Sequence, residues 1–297
     1  MKVLVTGSSG RIGRAIVARL MRNHDVIGYD RNPASTTHVI ANVADELALG
    51  KAIQGVDAVV HTASLHAPHV SHVPDAVFNE INIAGTESII RCCARYNVQN
   101  LVYTSTTALY GAAATPIERA SWITEEIDPV PLTIYHTTKL KAEALLCAAA
   151  NSGQLRVTVI RMSRCFPEPA PIMAMYRLHR GIDVRDVATA HELALTTNEQ
   201  PFRVFVVSGT TPFQPADVFR LKANAAVVIQ ERAPAIAEAF ARRGWMVPSG
   251  IDRVYSNAKI QRELGWAPRF GFDAVLHQYD EDSPEVLPPV NHWNARE

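Results

Sequence analysis

The 297-residue sequence has no excess of charge of either sign, because 29 Lys and Arg residues balance 29 Asp and Glu residues. We therefore expect no global electrostatic attraction to nucleic acid or to an anionic membrane surface. No apolar run approaches the ~18 residues of a transmembrane helix, and the opening MKVLVTGSSGRIG contains too short an apolar stretch for a signal-peptide core. These absences predict a cytoplasmic protein that acts without nucleic acid or membrane.

Cysteine is also scarce and irregularly placed. The four cysteines, Cys92, Cys93, Cys147 and Cys165, form no CxxC pair, and the first two are adjacent within a helical pattern. We interpret them as reduced thiols that pack in the protein, and we expect no disulfide framework. The hydrophobic content of 47% and the charged content of 20% are those of an ordinary globular protein, which excludes a disordered or coiled-coil chain.

Short β-like runs alternate with helical patterns through the first half of the chain. The predicted strands are Lys2–Thr6, Asp25–Tyr29, Asp57–His61, Asn100–Ser105 and Arg156–Arg161, and the predicted helices are Arg11–Arg22, Glu46–Gln54, Asp75–Tyr96 and Thr133–Asn151. The strands are continuous apolar runs, as is typical of strands buried on both faces. This alternation predicts an α/β fold with a doubly wound parallel sheet.

The pattern changes after Arg161, where three prolines interrupt the chain between residues 167 and 171. Beyond them we predict the helices Val184–Thr197, Pro215–Ala225 and Ala235–Arg243 and the strand Phe202–Ser208. We expect a first domain over residues 1–165 and a smaller one over 166–297, with 182–210 returning to the first. The proline-containing tail over 280–297 is expected to wrap the surface.

Three glycines with GxxGxxG spacing, Gly7, Gly10 and Gly13, lie between the first predicted strand and the first helix. One glycine permits a tight turn, the second lets the backbone approach a pyrophosphate, and the third lets helix and strand pack closely. This turn predicts dinucleotide binding. Asp30 ends the second strand, where a carboxylate accepts ribose hydroxyls and repels a 2′-phosphate, which favours NAD. Arg31 could receive that phosphate, so NADP stays open.

Tyr135 and Lys139 occur as YHTTK at the start of a predicted helix and share one of its faces. We expect the lysine charge to lower the pKa of the phenol, so that Tyr135 can exchange a proton with a carbinol while hydride moves. Lys139 can also hold the nicotinamide ribose. Thr106 follows the fourth strand, where its hydroxyl can bond the substrate oxygen that faces Tyr135.

Ordered motifs along the whole chain resemble the extended short-chain dehydrogenases/reductases of the NAD-dependent epimerase/dehydratase family. They are TGSSGRIG, VVHTAS (Val59–Ser64), STTALYG (Ser105–Gly111), YHTTK, RGIDVRDVATAH (Arg180–His191) and SNAKIQRELGWAP (Ser256–Pro268). The resemblance implies a Rossmann domain with a small C-terminal substrate-binding cap, and NAD as the cofactor. It also implies that Asp45 meets the adenine and that Asn82 opens a helix beside the cofactor.

The glycine turn, the Tyr–Lys pair and the resemblance together give a set of expected site residues. The catalytic residues are Thr106, Tyr135 and Lys139. The residues expected to bind the cofactor are Gly7, Ser9, Gly10, Arg11, Ile12, Gly13, Asp30, Arg31, Val43, Asp45, Thr62, Ala63, Ser64, Asn82, Ser105, Tyr135, Lys139 and Arg161. His66, Trp122 and Arg164 are expected to contact the substrate.

Three departures from the family pattern bear on the reaction. Thr107 and Ala108 stand where sugar-nucleotide 4,6-dehydratases have Asp and Glu, so we do not expect that reaction. The connection from Arg161 to Asp186 is short, which implies a small cap and an open cleft that holds a nucleotide sugar poorly. The histidines between 61 and 72 are interrupted by Pro68 and lack a regular ligand face, so no metal is expected.

The sequence thus predicts an NAD-linked enzyme that moves hydride to or from a secondary carbinol or carbonyl of a small polar, sugar-like substrate. An epimerase of a sugar or sugar nucleotide, with retained NAD, is the alternative. A non-catalytic, dinucleotide-sensing regulator is a third hypothesis, which the presence of the Tyr–Lys pair disfavours. We also expect a homodimer.

Overall fold

Seven parallel strands form the main sheet of the computed structural model, which describes residues 1–196 and 200–289. The strands of the protein are β1 (Lys2–Thr6), β2 (Asp25–Asp30), β3 (Val39–Ile40), β4 (Ala58–His61), β5 (Asn100–Thr106), β6 (Ser121–Ile123), β7 (Arg156–Met162), β8 (Phe202–Val207) and β9 (Arg253–Tyr255). The main sheet has the order β3-β2-β1-β4-β5-β7-β8, with the reversal between β1 and β4. The predicted doubly wound α/β fold is confirmed.

Helices connect these strands and cover both faces of the sheet. The α-helices are α1 (Arg11–Leu20), α2 (Glu46–Ile53), α3 (Asp75–Phe78), α4 (Gly85–Arg95), α5 (Ile134–Asn151), α6 (Ala170–Tyr176), α7 (Val184–Thr196), α8 (Val218–Arg232), α9 (Pro234–Arg242), α10 (Ala258–Leu264) and α11 (Phe272–Asp280). Single 3-10 turns lie at Ala67–His69, Thr107–Tyr110, Ala112–Ala114 and Pro215–Asp217. Within the described residues, no helix combines the length and the apolar character needed to cross a membrane.

The two faces of the sheet carry separate apolar cores. Because successive strand residues point to opposite faces, Leu4 of β1 packs in the core with Ile89 of α4, whereas its neighbours Val3 and Val5 pack in the core with Ile16 of α1. These side chains are fully buried, and each contributes about 1.5–3 kcal/mol through removal of apolar surface from water. The apolar runs of the predicted strands therefore fix the layer order of the fold.

A third core holds together the cap, which consists of α6, α8, α9, α11 and the two-stranded sheet of β6 and β9. Its apolar residues include Leu221, Phe240 and Val275. Ala120 and Trp122 also pack in this core, so the stretch before α5 contributes to the cap although the sequence boundary placed it in the first domain. Conversely, β8 pairs with β7 along its whole length and belongs to the main sheet.

Several elements differ from their predicted forms. The proline-rich stretch carries helix α6, since Pro169 and Pro171 lie at its start, where a missing N–H leaves no helical bond unmade. The predicted single helix Asp75–Tyr96 is α3 and α4 joined by the π-helical stretch Asn79–Ala84. The short elements β3, β6, β9, α10 and α11 were not predicted. Thr197 and residues 290–297 of the predicted tail lie outside the described residues.

Candidate active site

A groove of about 1890 Å³ runs along the carboxyl ends of the main-sheet strands and beneath the cap. Residues that directly follow β1, β4 and β5, namely Gly7, Thr62 and Thr107, lie in its wall, as do Tyr176 and Trp245 of the cap. Ligands of doubly wound sheets bind at this edge, beside the point where the strand order reverses. The groove is therefore the candidate active site.

Two glycines of the GxxGxxG turn are required by the packing of the protein itself. Gly7 has a φ of +73°, a conformation that favours glycine, and a Cβ there would lie 2.5 Å from Thr62 Oγ1. A Cβ on Gly13 would lie only 2.0 Å from the carbonyl oxygen of Gly7. These contacts bring the first turn of α1 against the end of β1.

Gly10 is different, because the packing of the protein does not require a glycine there. Its φ of −72° and ψ of 161° suit any residue, and a Cβ would meet only Gly7 O, at 3.4 Å. Gly10 lines the groove together with Arg11, Ile12 and Gly13, and no side chain caps the N-terminus of α1. A helix N-terminus with open backbone beside it fits an anionic pyrophosphate.

Asp30 lies in the wall of the groove at the end of β2, with Arg31 next to it. Its carboxylate accepts hydrogen bonds from the backbone N–H of Ser9 at 3.1 Å and of Asn32 at 2.9 Å. These bonds fix the side chain beside the glycine turn, where Ser9 also lines the groove. This placement fits the ribose-binding role that the sequence predicts.

The loop after β4 contributes Thr62, Ala63, Ser64 and His66 to the groove. Asn82, by contrast, does not line it: the amide accepts from Leu65 N at 2.8 Å and donates to Leu65 O at 3.0 Å. Asn82 is buried and holds this loop through hydrogen bonds to its backbone. It does not lie at the groove, where a contact with the cofactor is expected.

Tyr135 begins the buried face of α5 and points into the groove close to Thr106. Burial raises the pKa of the Tyr135 phenol to about 12, although a hydrogen bond with the Thr106 side chain lowers this pKa in part. The Thr106 hydroxyl also accepts from the N–H of Ala108 at 3.1 Å, which holds it in place. The structure thus brings together the two hydroxyls that the sequence predicts.

Lys139 lies one helical turn beyond Tyr135 and is almost completely buried at the floor of the groove. Its Nζ donates to Thr104 O at 2.6 Å and lies 4.1 Å from the centre of the Tyr103 ring. Burial lowers the pKa of Lys139 to about 7, opposed by the charge of Glu143. Burial thus raises the pKa of the Tyr135 phenol, in the direction opposite to the lowering that the sequence predicts.

Arg161 was expected at the cofactor but lies behind the groove. Its guanidinium makes hydrogen bonds of 2.7–3.2 Å to both carboxylate oxygens of Glu143 and one of 3.0 Å to Tyr110 Oη. Ser105, which does line the groove, donates to the same Glu143 carboxylate at 2.5 Å. This buried ion pair ties the ends of β5 and β7 to α5, and Arg161 is not among the residues that line the groove.

Two further expected contacts lie elsewhere. Asp45 caps α2, accepting from Leu47 N at 3.1 Å and Ala48 N at 3.0 Å, and does not line the groove, whereas the nearby Val43 does. Trp122 lies on β6 and packs in the core of the cap rather than over the substrate. Helix capping explains the position of Asp45, and packing in the cap explains that of Trp122.

His66 and Arg164 do line the groove, and they are joined through Phe166. The His66 and Phe166 rings stack at 5.7 Å, and the Arg164 guanidinium lies 5.3 Å from the centre of the Phe166 ring. Burial, with the nearby His69 and Lys139, lowers the pKa of His66 to about 4, so its imidazole is neutral at pH 7. Among the described residues, no group of three or more His, Cys, Asp or Glu side chains is arranged to hold a metal.

The cap adds charged residues to the groove that the sequence did not single out for the site. They are Arg180, Lys222, Arg243, Asp252 and Arg253. In the sequence Arg180 opens a family motif, and no spacing pattern relates it to Arg253, which lies 73 positions later. Only the folded cap shows that both lie beside Asp252.

Residues 3–170, more than half of the chain, match the NAD dependent epimerase/dehydratase family. The chain belongs to this family. The resemblance predicted from the motifs is confirmed, and so is the Rossmann-type fold that it implies. The match covers the main sheet through β7 and every residue of the Thr106, Tyr135 and Lys139 set.

Curated relatives in the family carry out different reactions. The chain is 31% identical to a 2-alkyl-3-oxoalkanoate reductase of Stenotrophomonas maltophilia, over 54% of this chain and 50% of the relative. It is 32% identical to an L-arabinose 1-dehydrogenase (NAD(P)(+)) of Haloferax volcanii, over 54% and 66%. It is 27% identical to a dTDP-glucose 4,6-dehydratase of Streptomyces griseus, over 90% and 89%. The chain spans about half the length of the first curated relatives it matches.

Solved structures share the fold over almost the whole chain. A short-chain dehydrogenase/reductase superfamily protein from Agrobacterium tumefaciens with bound NAD has a TM-score of 0.72 at 21% identity, covering 94% of this chain and 95% of its own. A UDP-glucose 4-epimerase from Thermus thermophilus in complex with NAD has a TM-score of 0.66 at 23% identity, covering 93% and 99%. At these identities the likeness concerns the fold.

Proposed function

We propose that this protein is an NAD-dependent oxidoreductase that moves hydride to or from a secondary carbinol or carbonyl carbon of a small polar, sugar-like substrate. The observation that carries the proposal is that Thr106, Tyr135 and Lys139 line the same groove as the glycine turn. Membership in an NAD dependent family, and relatives that are reductases and dehydrogenases, support it.

The residues at the sheet edge fit a dinucleotide. The open backbone at Gly10 and the first turn of α1 would hold the pyrophosphate, and Asp30 would accept the ribose hydroxyls. The Asp30 carboxylate repels a 2′-phosphate, so we propose NAD as the preferred cofactor, although Arg31 lies beside it. When bound, NAD supplies the hydride donor or acceptor at its nicotinamide ring.

Tyr135 would carry the proton of the reaction. With a pKa raised to about 12 by burial, the phenol is protonated at neutral pH and suited to protonate a carbonyl oxygen in the reductive direction. In the oxidative direction it must first release that proton, and a charged Lys139 one turn away favours the phenolate. The Thr106 hydroxyl orients the same substrate oxygen.

We propose that residues 1–165 together with 182–210 bind the dinucleotide and that the rest of 166–297 binds the substrate. The packing of Trp122 in the core of the cap adds the stretch before α5 to the substrate side. We also propose a homodimer, which light scattering after size exclusion would report as a mass twice that of the chain.

Epimerisation is the second candidate, favoured by the match to a family that includes epimerases. An epimerase returns hydride to the same carbon, so it gains by retaining NAD through the cycle, whereas a dehydrogenase releases NADH in every turnover. Incubation with NAD⁺ and a panel of sugars and sugar acids separates the two. A stereoisomer that forms without stoichiometric NADH identifies an epimerase.

The direct test replaces Tyr135 by Phe, with Tyr96→Phe as a control that removes a phenol outside the groove. Because only proton transfer is lost, Tyr135→Phe should lower turnover about 100-fold or more while NADH binding is kept. Tyr96→Phe should retain activity. Near-full activity of Tyr135→Phe, or a wild-type protein that binds neither NADH nor NADPH, would contradict the proposal.

A further inference from the structure

The segment 283–289, which follows α11, connects the cap to the glycine turn, and we call it the strap. Val286 of the strap is buried and packs in the core of the cap. Leu287 makes two backbone hydrogen bonds to the stretch that leads into α6: its N–H donates to Glu168 O at 3.0 Å, and its carbonyl accepts from Ala170 N at 2.9 Å. The strap is therefore attached to the cap by apolar burial and by backbone hydrogen bonds.

Glu285 of the strap forms an ion pair with Arg11, the first residue of α1. The distance from Arg11 Nη2 to Glu285 Oε2 is 2.5 Å, and the two side chains are 26% and 43% exposed. Arg11 Nε also donates to the carbonyl oxygen of Cys165, between β7 and α6, at 3.1 Å. Arg11, Cys165 and Pro289 of the strap all line the groove. The Arg11 side chain thus ties together two parts of the groove wall that are distant in the sequence.

These contacts bear on the role of the Arg11 side chain. The sequence predicts that Arg11 binds the cofactor, and its backbone lies at the open N-terminus of α1, which fits the pyrophosphate. The guanidinium, in contrast, is already bonded to a carboxylate and to a carbonyl oxygen. A pyrophosphate that is held by backbone N–H groups does not require this guanidinium. The Arg11–Glu285 pair can therefore stay closed beside a bound dinucleotide.

The ion pair is the weaker of the two attachments of the strap. Partly exposed ion pairs stabilise a structure only slightly and are screened by salt. The buried side chain of Val286 and the two hydrogen bonds of Leu287 hold the strap to the cap more firmly. We therefore expect the strap to separate from Arg11 before it separates from the cap. The opening would lie next to the first turn of α1, where the pyrophosphate is proposed to bind.

We propose that the strap is a latch on the cofactor: the Arg11–Glu285 pair closes the groove beside the pyrophosphate and opens when the dinucleotide leaves. This inference rests on the proposed function, since it concerns release of the cofactor from that same groove. A dehydrogenase releases NADH in every turnover, and segments that open over a bound ligand limit the rate of many enzymes. The strength of the latch would therefore determine how long the protein retains its cofactor.

Stopped-flow release of NADH measures the latch directly. Protein loaded with NADH is mixed with excess NAD⁺, and the loss of NADH fluorescence gives the dissociation rate constant. Glu285→Gln should raise this rate constant about three-fold or more, because the ion pair is lost. The difference from the wild-type protein should shrink in about 1 M sodium chloride, where the Debye length is about 3 Å. Glu281→Gln is the matched control: it removes an equal charge from the exposed His277–Glu281 pair, four residues earlier, and should leave the rate unchanged.

Arg11→Gln and the double variant separate the latch from a direct contact between Arg11 and the pyrophosphate. If the two residues act through their pair, Arg11→Gln raises the release rate as much as Glu285→Gln does, and the double variant releases NADH no faster than either. Tighter NADH binding by Glu285→Gln, with weaker binding by Arg11→Gln, would overturn the inference. Glu285 would then compete with the pyrophosphate for the guanidinium instead of closing the groove.

Two further measurements on the same samples complete the test. The Tm of each variant should stay within about 2 °C of the wild-type value, because a partly exposed ion pair adds little to stability, so that faster release does not reflect unfolding. NADH binding by the wild-type protein with a release rate that Glu285→Gln leaves unchanged would overturn the inference alone. Absence of binding of either NADH or NADPH would overturn the proposed function and the inference together.

Discussion

Alanine substitutions at two glycines of the same turn should have opposite consequences, one for folding and the other for cofactor binding. At Gly13, a Cβ would lie 2.0 Å from the backbone oxygen of Gly7, so backbone must move to admit it. At Gly10, a Cβ would have 3.4 Å to its nearest neighbour and would enter the groove. The contrast separates glycine required by the fold from glycine required by a ligand.

The expected magnitudes follow from these contacts. Forcing backbone apart at residue 13 should cost about 3 kcal/mol or more, which is a fall in Tm of roughly 6 °C or more for a chain of this size. At residue 10 the extended backbone suits alanine, and the small gain from a less flexible unfolded chain offsets a weaker helix cap, so Tm should stay within about 2 °C. The new methyl group should weaken NADH binding at least about ten-fold, or 1.4 kcal/mol.

Thermal unfolding and NADH fluorescence titration of the two variants and the wild-type protein measure both quantities. We expect Gly13→Ala to lose stability and Gly10→Ala to keep its Tm and lose affinity. Wild-type NADH affinity in a stable Gly10→Ala variant would refute the assignment of this turn to the pyrophosphate. A large loss of stability in Gly10→Ala would refute the packing argument instead.

Two further predictions concern charge in the groove. Asp30→Ala should raise affinity for NADPH relative to NADH by about ten-fold or more in fluorescence titrations, because a like-charge contact with the 2′-phosphate is removed; an unchanged ratio would show that Arg31 sets the preference. Burial lowers the pKa of Lys139 to about 7, below its unfolded value of about 10.4, so the folded state binds fewer protons between these values and this group adds stability as pH rises. The Tm of the wild-type protein should therefore rise relative to that of Lys139→Met from pH 7 to 10, and a constant difference would contradict the burial argument.

The sequence predicts those parts of the molecule that depend on residues close together in the chain. The alternation of apolar runs and helical patterns predicts the sheet, because strand burial and helix faces are set by local periodicity. The spacing of Gly7 and Gly13 predicts the turn, since Gly7 has a positive φ and Gly13 packs against the backbone of Gly7, six residues earlier. Tyr135 and Lys139 share a face for the same reason, one helical turn apart.

The roles of charged residues at motif positions are harder to predict from the sequence, because the fold decides which hydrogen-bond or ion-pair partner each of them has. Asp45 precedes α2, and its carboxylate is taken by the first N–H groups of that helix, a capping signal present in the sequence itself. Arg161 of β7 forms an ion pair with Glu143 of α5, and no local sequence pattern predicts that pair. Arg180 and Arg253 both lie beside Asp252 only because distant parts of the chain come together in the fold.

Contacts between strand β5 and helix α5 explain why the proposed reactive groups sit where core and groove meet. Three successive strand residues, 104–106, each hold a different turn of the helix: Thr104 O accepts from Lys139, Ser105 donates to Glu143, and Thr106 bonds Tyr135. A shift of register by one residue would break all three contacts. The packing that stabilises the sheet therefore also buries the phenol and the ammonium, and burial is what displaces both pKa values. The fold thus sets the pKa values of both proposed reactive groups, and a positively charged nicotinamide would act on groups already held in register.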